Sequence, residues 1–376
     1  MLKNLFKNYI YPIAVFSGGI VGVGFLSLPY ITMKVGIWTM LVYFLVMTIL
    51  VITINLIFCQ ISLKTPDFKR LPGFAKYHLG KKGEIIAIVC TIIGAFGSLL
   101  ILLIVGGGFL ADILIPLLGG SVIFYTTVYF LIGSTVIFFG IKMISRVELW
   151  ILVFLLLSLL FVFIEGFSHI KLSNIFVSNF IPLASDLFLP YGPVLFALWA
   201  VGLIPEVEEM LRGEGKKRLL KKIVVVSTIS ISVLYFLFII LVLGITGSQT
   251  TETALVGLGG FLNSNLISIS LFAGMLATLA AFITQGIILK KVFMYDLGIK
   301  HWQSFVMTCF TPLILFLLGF NSFIFLLSFF GGVFFGIFGL LILLMYKKIG
   351  GKNIVIYPLS IIFILGTIYE IVYFIK

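Results

Sequence analysis

The chain has 376 residues, of which 61% are hydrophobic and only 10% are charged. This composition excludes a soluble globular protein, because too few polar residues remain to cover the surface of so apolar a chain. The formal net charge of +12 is divided among short clusters between apolar runs. That distribution is typical of membrane topology and argues against a nucleic-acid partner.

The apolar runs are long enough to cross a bilayer, which takes about 20 residues of helix. They are also far longer than the roughly 10-residue alternating strands of a membrane barrel. The sequence therefore predicts an all-α polytopic membrane protein with eleven transmembrane helices. In chain order, we expect these helices at about 9–33, 36–63, 84–112, 121–140, 145–165, 190–211, 221–246, 264–292, 302–318, 322–346 and 354–375.

The basic residues indicate how the chain is oriented in the membrane. With the N-terminus in the cytoplasm, all of the 25 Lys and Arg residues except Lys34, Lys171 and Lys376 fall on the cytoplasmic side. This asymmetry predicts a cytoplasmic N-terminus and, with eleven spans, a C-terminus outside the cell. We expect the protein in the cell membrane.

The first predicted span contains the stretch SGGIVGVGFLSLP (17–29), which has four glycines and a proline. Both residue types weaken helices, and unwound backbone is tolerated at membrane depth only where it lines a cavity. Freed N–H groups at such a break can bind an anion, and freed carbonyl groups can bind a cation. A zwitterionic amino acid carries both charges. Glycine-mediated helix packing is the alternative explanation.

The sixth predicted span, YGPVLFALWAVGLIPEVEEML (191–211), is similar to the first in one respect. It has small residues near its middle, Ala200 and Gly202, followed by Pro205. Interrupted helices at corresponding places in two inverted halves indicate a transporter whose binding site lies between the halves.

The loop near 166–189 divides ten of the spans into two sets of five, and an odd number of spans per set inverts the second set relative to the first. We therefore expect one transmembrane domain over 1–376. Repeat one would cover about 9–165 and repeat two about 190–346, with an accessory helix at about 354–375.

Three segments carry a resemblance to a known family. GGIVGVGFLSLPY (18–30) resembles the first-helix signature of the amino acid–polyamine–organocation superfamily. RLPGFAKYHLGKKG (70–83) and LFALWAVGLIPEVEE (195–209) are similar to segments of its amino acid/auxin permease branch and of bacterial aromatic amino acid permeases. The resemblance implies the inverted five-plus-five fold of the sodium-coupled leucine transporter, with ion-coupled amino acid symport by alternating access.

The resemblance also implies where the backbone would hold an amino acid. The N–H groups of Val23 and Gly24 would bind the substrate carboxylate. The carbonyl of Ile20 and those from Leu198 to Ala200 would bind the ammonium group.

The side-chain pocket would be shaped by residues of the sixth and third helices. Trp199 is larger than the residue often found at that place, so it could gate the pocket or stack on an aromatic substrate. Because the pocket lacks a charge, we expect a neutral amino acid, aromatic or branched. The expected pocket residues are Phe196, Trp199, Gly97 and Ser98.

The driving ion is less clearly indicated. In the sodium-coupled pattern the eighth span supplies two hydroxyl groups, where this chain has Leu276 and Ala277. A proton is therefore favoured and sodium remains an alternative. The candidate sodium ligands are the carbonyls of Gly18 and Val21 and the hydroxyls of Thr278 and Thr284.

A proton carrier needs an ionisable group, and acids inside a membrane are functional candidates. Glu206 directly follows Pro205 and is expected to lie deepest of the acids in the sixth span. The alternative is that Glu206 pairs with the basic cluster at 212–222, as we expect for Glu208 and Glu209. Glu370 is expected near the outer end of the accessory helix.

The function that these features favour is secondary amino acid transport. The alternative is a membrane sensor of the same fold that binds an amino acid without moving it. An integral-membrane enzyme would need a cluster of catalytic polar residues at one depth, and the sequence offers none. No cofactor and no metal site are expected, and the oligomeric state is left open.

Overall fold

A computed structural model confirms the all-α class expected from the sequence. The part of the chain that it describes forms helices joined by turns and bends, without a strand. The backbone alone is described at 144–149, Lys217, Tyr295, Asp296 and Phe374. The described residues are 9–66, 70–140, 144–176, 187–211 and 217–375.

The longer helices are labelled here in chain order, and the one-turn helices in the loops are left unlabelled. Three predicted spans are each represented by a pair of helices. The labelled helices are α1 (Tyr11–Ile20), α2 (Leu28–Val35), α3 (Ile37–Lys64), α4 (Leu71–Leu118), α5 (Val122–Phe139), α6 (Ile144–Gly166), α7 (Tyr191–Leu198), α8 (Ile204–Met210), α9 (Lys217–Thr246), α10 (Ser264–Lys291), α11 (His301–Leu317), α12 (Phe323–Phe329), α13 (Phe335–Lys348) and α14 (Asn353–Ile375).

Every predicted span contains helix in the described residues. Eight helical segments there are long and apolar enough to cross a membrane, and the bent pair α1–α2 makes nine. The spans expected at 190–211 and 302–318 are also helical, but α11 and the pair α7–α8 are shorter than this length. The chain is therefore a multi-pass membrane protein.

The third predicted span begins earlier than expected. We placed it at 84–112, whereas α4 starts at Leu71 and contains a bend at Gly80, whose φ of 73° is in the left-handed region. Glycine adopts this conformation without the steric penalty that other residues meet. The stretch before the bend was missed because it is polar and basic, with Lys76 paired to Glu84 at 3.0 Å.

Glycines bring α4, α5 and α10 close together. The Phe109 ring of α4 lies over Gly274 of α10, and the Phe282 ring of α10 lies over Gly133 of α5. Small residues at such crossings let the helix backbones approach, which favours packing in a membrane.

The last helix, α14, packs along a row of glycines on the helix pair α12–α13. A π-helical turn, Phe330–Phe334, joins α12 to α13 and supplies the first of these glycines. The glycines leave room for the larger side chains of α14, which explains why the two surfaces fit closely. Gly332, Gly336 and Gly339 face Glu370, Thr367 and Phe363 respectively.

The two faces of the molecule are named here from the predicted orientation. The outer side carries the start of α7 and the end of α2. The inner side carries the start of α1 and the end of α8.

Candidate functional site

The interruption predicted in the first span is present. Helix α1 ends at Ile20, and Val21 and Gly22 have extended backbone conformations. A 3-10 turn, Val23–Ser27, leads into α2, and the two helical parts meet at an angle of 48°. The glycine-rich stretch therefore breaks the helix near its middle.

The sixth span has the corresponding interruption. Helix α7 ends at Leu198, Trp199 is extended with ψ 122°, and Ala200 is not helical, with φ −138° and ψ 9°. A short 3-10 turn then leads to α8, which has Pro205 in its first turn. Proline fits there because the first N–H groups of a helix have no partner within it.

The two interruptions lie against each other. A Cβ atom at Gly24 would stand 3.0 Å from the Cα of Ala197 and 3.0 Å from the Phe196 ring. Gly19, on the other side of the first break, lies directly against Leu203. The glycines therefore permit the close approach of the two broken helices.

The outer parts of the two interrupted helices are buried, and three glycines beside the interruptions are exposed. The residues from Val23 to Pro29 and from Tyr191 to Leu195 are all buried, whereas Gly19, Gly22 and Gly202 are exposed. Unwound backbone is not tolerated against lipid. Gly22, whose backbone is extended, therefore faces protein or a water-filled space rather than lipid.

The carbonyl expected to bind an ammonium group already has one partner. The Tyr235 hydroxyl of α9 donates a hydrogen bond of 2.9 Å to the Ile20 carbonyl oxygen, and the Tyr235 ring stacks on Phe25. A carbonyl oxygen has two lone pairs, so Ile20 can accept a second hydrogen bond. Tyr235 was not singled out from the sequence, although a phenol within an apolar span signals a need for a polar partner.

The expected pocket residues Phe196 and Trp199 come together on a residue that was not singled out from the sequence. The Phe335 ring of α13 stacks on Trp199, with centroids 5.0 Å apart, and on Phe196, at 5.5 Å. All three side chains are half-buried. Trp199 thus stacks on an aromatic ring of the protein itself, and its part in gating the pocket or stacking on an aromatic substrate stays a prediction.

The face of α4 at Gly97, next to Ser98, packs against Phe330, in the π-helical turn that directly precedes Phe335. The Phe330 ring covers Gly97 so closely that no side chain would fit at that position, and Phe330 stacks on Phe334 at 5.2 Å. Ser98 is half-buried. The sequence contains a signal for this contact, which is the run of phenylalanines and glycines FFGGVFFGIFG (329–339).

The four candidate sodium ligands have different neighbours. Gly18 packs against Leu152 of α6, and Val21 lines a small apolar cavity between α1, α6 and α9. Thr278 lies beside Tyr129 of α5, and its hydroxyl donates to the Met275 carbonyl at 2.8 Å. The fourth candidate, Thr284, is half-buried in the same helix, α10.

Glu206 is not the deeply placed acid that we expected. Its side chain is 52% exposed and forms an ion pair at 3.4 Å with Arg70, which is 65% exposed. The reason is that α8 has only seven residues and ends soon after the break, which places Glu206 near the inner surface. Arg212 and Lys216, part of the basic cluster expected to face it, lie outside the described residues.

Glu208 is tied to the neighbouring helix, since its Oε2 accepts a hydrogen bond from the Ser62 hydroxyl of α3. Across the described ranges, no group of three or more His, Cys, Asp or Glu side chains could hold a metal ion. The groups that this region offers to a ligand are therefore backbone N–H and carbonyl groups, with aromatic rings beside them.

Comparison with known proteins places this geometry in a family. The crystal structure of MhsT in complex with L-phenylalanine has a similar fold, with a TM-score of 0.65, 13% sequence identity and 97% of each chain covered. This likeness shows that the chain has the fold of the leucine transporter. No curated protein matches the sequence. The sequence model of the tryptophan/tyrosine permease family matches residues 7–361, and the chain therefore belongs to the tryptophan/tyrosine permease family.

Proposed function

We propose that this permease is a symporter that moves a neutral aromatic amino acid together with an ion by alternating access. The observation that carries the proposal is the contact between two interrupted helices, with Gly24 of the first against Ala197 of the second. Backbone N–H groups and carbonyl groups of the two interruptions then come together at one place.

The backbone of the interruptions would hold the two charges of the amino acid. The N–H groups of Val23 and Gly24 begin the outer half of the first helix, where the helix dipole favours a carboxylate. The carbonyls of Ile20 and of Leu198 to Ala200 are the acceptors for the ammonium group. Helix ends of this kind bind charge without a charged side chain.

An aromatic substrate fits the side chains around the interruptions. Phe196, Trp199 and Phe335 are half-buried and stacked, so they present aromatic faces and edges to an opening. Aromatic pairs gain about 0.5–1.5 kcal/mol beyond the burial of their area. The family name, and the L-phenylalanine in complex with MhsT, agree with this substrate class.

A proton is the proposed coupling ion. Leu276 and Ala277 supply no oxygen where the sodium-coupled pattern has hydroxyls, and the hydroxyl of Thr278 is bonded within its own helix. Sodium binds through oxygen ligands, as other hard cations do.

We further propose that the protein lies in the cell membrane with a cytoplasmic N-terminus and the C-terminus outside, because almost all basic residues then lie inside. The two inverted repeats would cover about 9–165 and 190–346, and α14 would be the accessory helix.

Uptake into proteoliposomes tests the proposal. Labelled tryptophan, tyrosine, phenylalanine, leucine and lysine would be offered under an inward proton gradient and, separately, under an inward sodium gradient. We expect proton-driven accumulation of the aromatic amino acids and none of lysine. Accumulation with sodium alone would refute proton coupling. Binding of an aromatic amino acid without movement under either gradient would refute transport and favour the sensor alternative.

A further inference from the structure

Glu370 is an acid enclosed within the membrane-spanning part of the molecule. It belongs to α14, and only 2% of its surface is exposed. We expected it near the outer end of the accessory helix. An ionisable side chain buried in this way is costly and marks a functional position by default.

The carboxylate of Glu370 contacts the outer half of the interrupted sixth helix. Its Oε1 accepts a hydrogen bond of 3.2 Å from the backbone N–H of Gly192, in the first turn of α7. The N–H groups of a first turn have no partner within the helix and lie at the positive end of its dipole. Glu370 is therefore linked to the helix that ends at the proposed substrate site.

Three glycines allow the chain to close around this acid. Gly331 of the π-helical turn lies against the Gly192 carbonyl, and Gly332 lies against the Glu370 side chain. A side chain at any of these glycines would push the helices apart. π-Helical turns within α-helices are frequent at functional sites.

Two further polar groups near this junction have no hydrogen-bond partner in the described structure. They are the Tyr191 hydroxyl and the Ser328 hydroxyl, both on buried residues. The Tyr191 ring lies on Gly366, one turn before Glu370, and the Ser328 backbone lies against Gly192. Buried polar groups are normally hydrogen-bonded, so two unpaired hydroxyls this close to a buried acid require a functional or structural explanation.

Within the residues that the structure describes, the ionisable groups that face Glu370 are phenols. Tyr43 of α3 and Tyr191 of α7 are close enough to interact electrostatically with its carboxylate. The π-helical turn presents glycines, and α12 carries no ionisable side chain. Within α14, Tyr369 and Tyr373 stack on each other.

The cations of the neighbouring helix α13 are far from Glu370. Lys347 and Lys348 end α13 on the inner side, where Lys347 lies over the Tyr357 ring at the other end of α14. In the described part of the chain, Glu370 forms no ion pair with Lys or Arg. A charged Glu370 would therefore be buried with one backbone N–H donor and no counter-ion, which costs more than burying the neutral acid.

The enclosure of Glu370 belongs to the closed arrangement of the outer side. The buried residues from Tyr191 to Leu195 include those that pack α7 against the π-helical turn and α14. Alternating access requires this side to open at another stage of the cycle. Separation of α7 from its neighbours would admit water to the carboxylate.

We propose that Glu370 is a proton-binding site that controls closure of the outer side. A proton from the outer water adds to the carboxylate and gives the neutral acid. Helix α7 then packs against the π-helical turn and α14, which closes the outer side. The proton stays on Glu370 while the outer side is closed. When the side opens, water solvates the carboxylate and the proton can leave. The inference rests on the proposed alternating-access function but needs no particular substrate.

Cysteine accessibility in proteoliposomes tests this proposal. A cysteine at Val194, buried in α7, would be labelled from outside with an impermeant thiol reagent as external pH is varied. A cysteine at the exposed Ser248 supplies the reference rate, because thiol reactivity itself rises with pH. The labelling rate at position 194 divided by the rate at position 248 then reports opening of the outer side alone. The native cysteines Cys59, Cys90 and Cys309 are buried.

We expect the labelling ratio to rise with external pH in the native background, by up to about tenfold per pH unit for a single linked proton. In E370Q, whose amide mimics the neutral acid, the ratio should stay low at every pH. E252Q, which removes an exposed outer carboxylate, should behave like the native protein. A ratio that does not depend on pH in the native protein would overturn the proposal, and so would a ratio that still rises with pH in E370Q. The proposal would also be overturned if E206Q, rather than E370Q, lost the pH dependence.

Infrared spectroscopy provides a second readout that does not depend on E370Q folding. The native protein should show an absorption band of a protonated carboxyl group that disappears as pH is raised, with a different midpoint in E370D. Absence of such a band would overturn the proposal. Neither readout uses amino acid uptake, so a failure of the proposed transport function would be recognised separately.

Discussion

Gly24 lies directly against Ala197, so that a Cβ atom on Gly24 would stand 3.0 Å from the Ala197 Cα atom. The contact joins the 3-10 turn after the first break to the last turn of α7. Both residues are buried on the closed outer side. The two halves of the proposed substrate site are thus held so close that a side chain at position 24 would crowd the Ala197 backbone.

Gly24→Ala should therefore separate the interruptions. Overpacking of a close contact costs about 1–3 kcal/mol, and we expect the affinity for an aromatic amino acid to fall by about tenfold or more. Equilibrium binding of labelled phenylalanine to the purified protein measures the change. Gly94→Ala in α4 is the matched control, because a Cβ atom there meets nothing within 4 Å. Equal affinities in both variants would contradict the proposed contact.

Trp199→Ala should change which aromatic amino acid is preferred. The substitution removes the ring that stacks on Phe335 and leaves a larger space beside the second break. Loss of an aromatic pair costs about 0.5–1.5 kcal/mol, or about two- to tenfold in affinity. Competition among tryptophan, tyrosine and phenylalanine measures the ranking, with Trp150→Ala, an exposed residue of α6, as the control. An unchanged ranking would exclude Trp199 from the pocket.

Tyr235→Phe should loosen the end of α1 while keeping the aromatic contact with Phe25. The variant loses only the hydroxyl that donates to the Ile20 carbonyl. A buried hydrogen bond contributes about 1 kcal/mol, so we expect a loss of about fivefold in substrate affinity or a similar loss of stability. Binding and thermal unfolding together separate these effects. Tyr77→Phe, at an exposed position, should change neither quantity.

Gly336→Val should weaken the packing of α14 on α13. The new side chain would collide with the Thr367 hydroxyl, and overpacking of this kind costs about 1–3 kcal/mol. A lower thermal unfolding temperature in detergent is the expected result. Gly108→Ala has free space around its new Cβ atom and should unfold close to the native temperature. If both variants were equally stable, the glycine row would not be the contact surface of α14.

Local features of the sequence were enough to predict the helices and their interruptions. Long apolar runs separated by basic clusters indicate spans, and the glycines at 18–24 mark the first break. The start of α4 could not be found in this way, because the stretch before Gly80 is polar and is set off from the apolar part of the helix by that bend.

Contacts between distant segments explain what the sequence could not reveal about the site. Phe335 is one of many phenylalanines, and only the fold brings its ring onto Trp199. Glu206 follows the break closely in sequence but lies near the surface because α8 is short. Glu370 lies near a chain end, yet α7 and the π-helical turn enclose it.

Mapping where an aromatic amino acid binds would test the proposed substrate site without relying on any substitution. A photoactivatable phenylalanine would be crosslinked to the purified protein, and the labelled peptides identified by mass spectrometry. We expect labelling within 20–24 and 196–200, abolished by excess unlabelled tryptophan or phenylalanine. Labelling confined to other helices, or labelling that unlabelled amino acid does not prevent, would contradict a substrate site at the two interrupted helices.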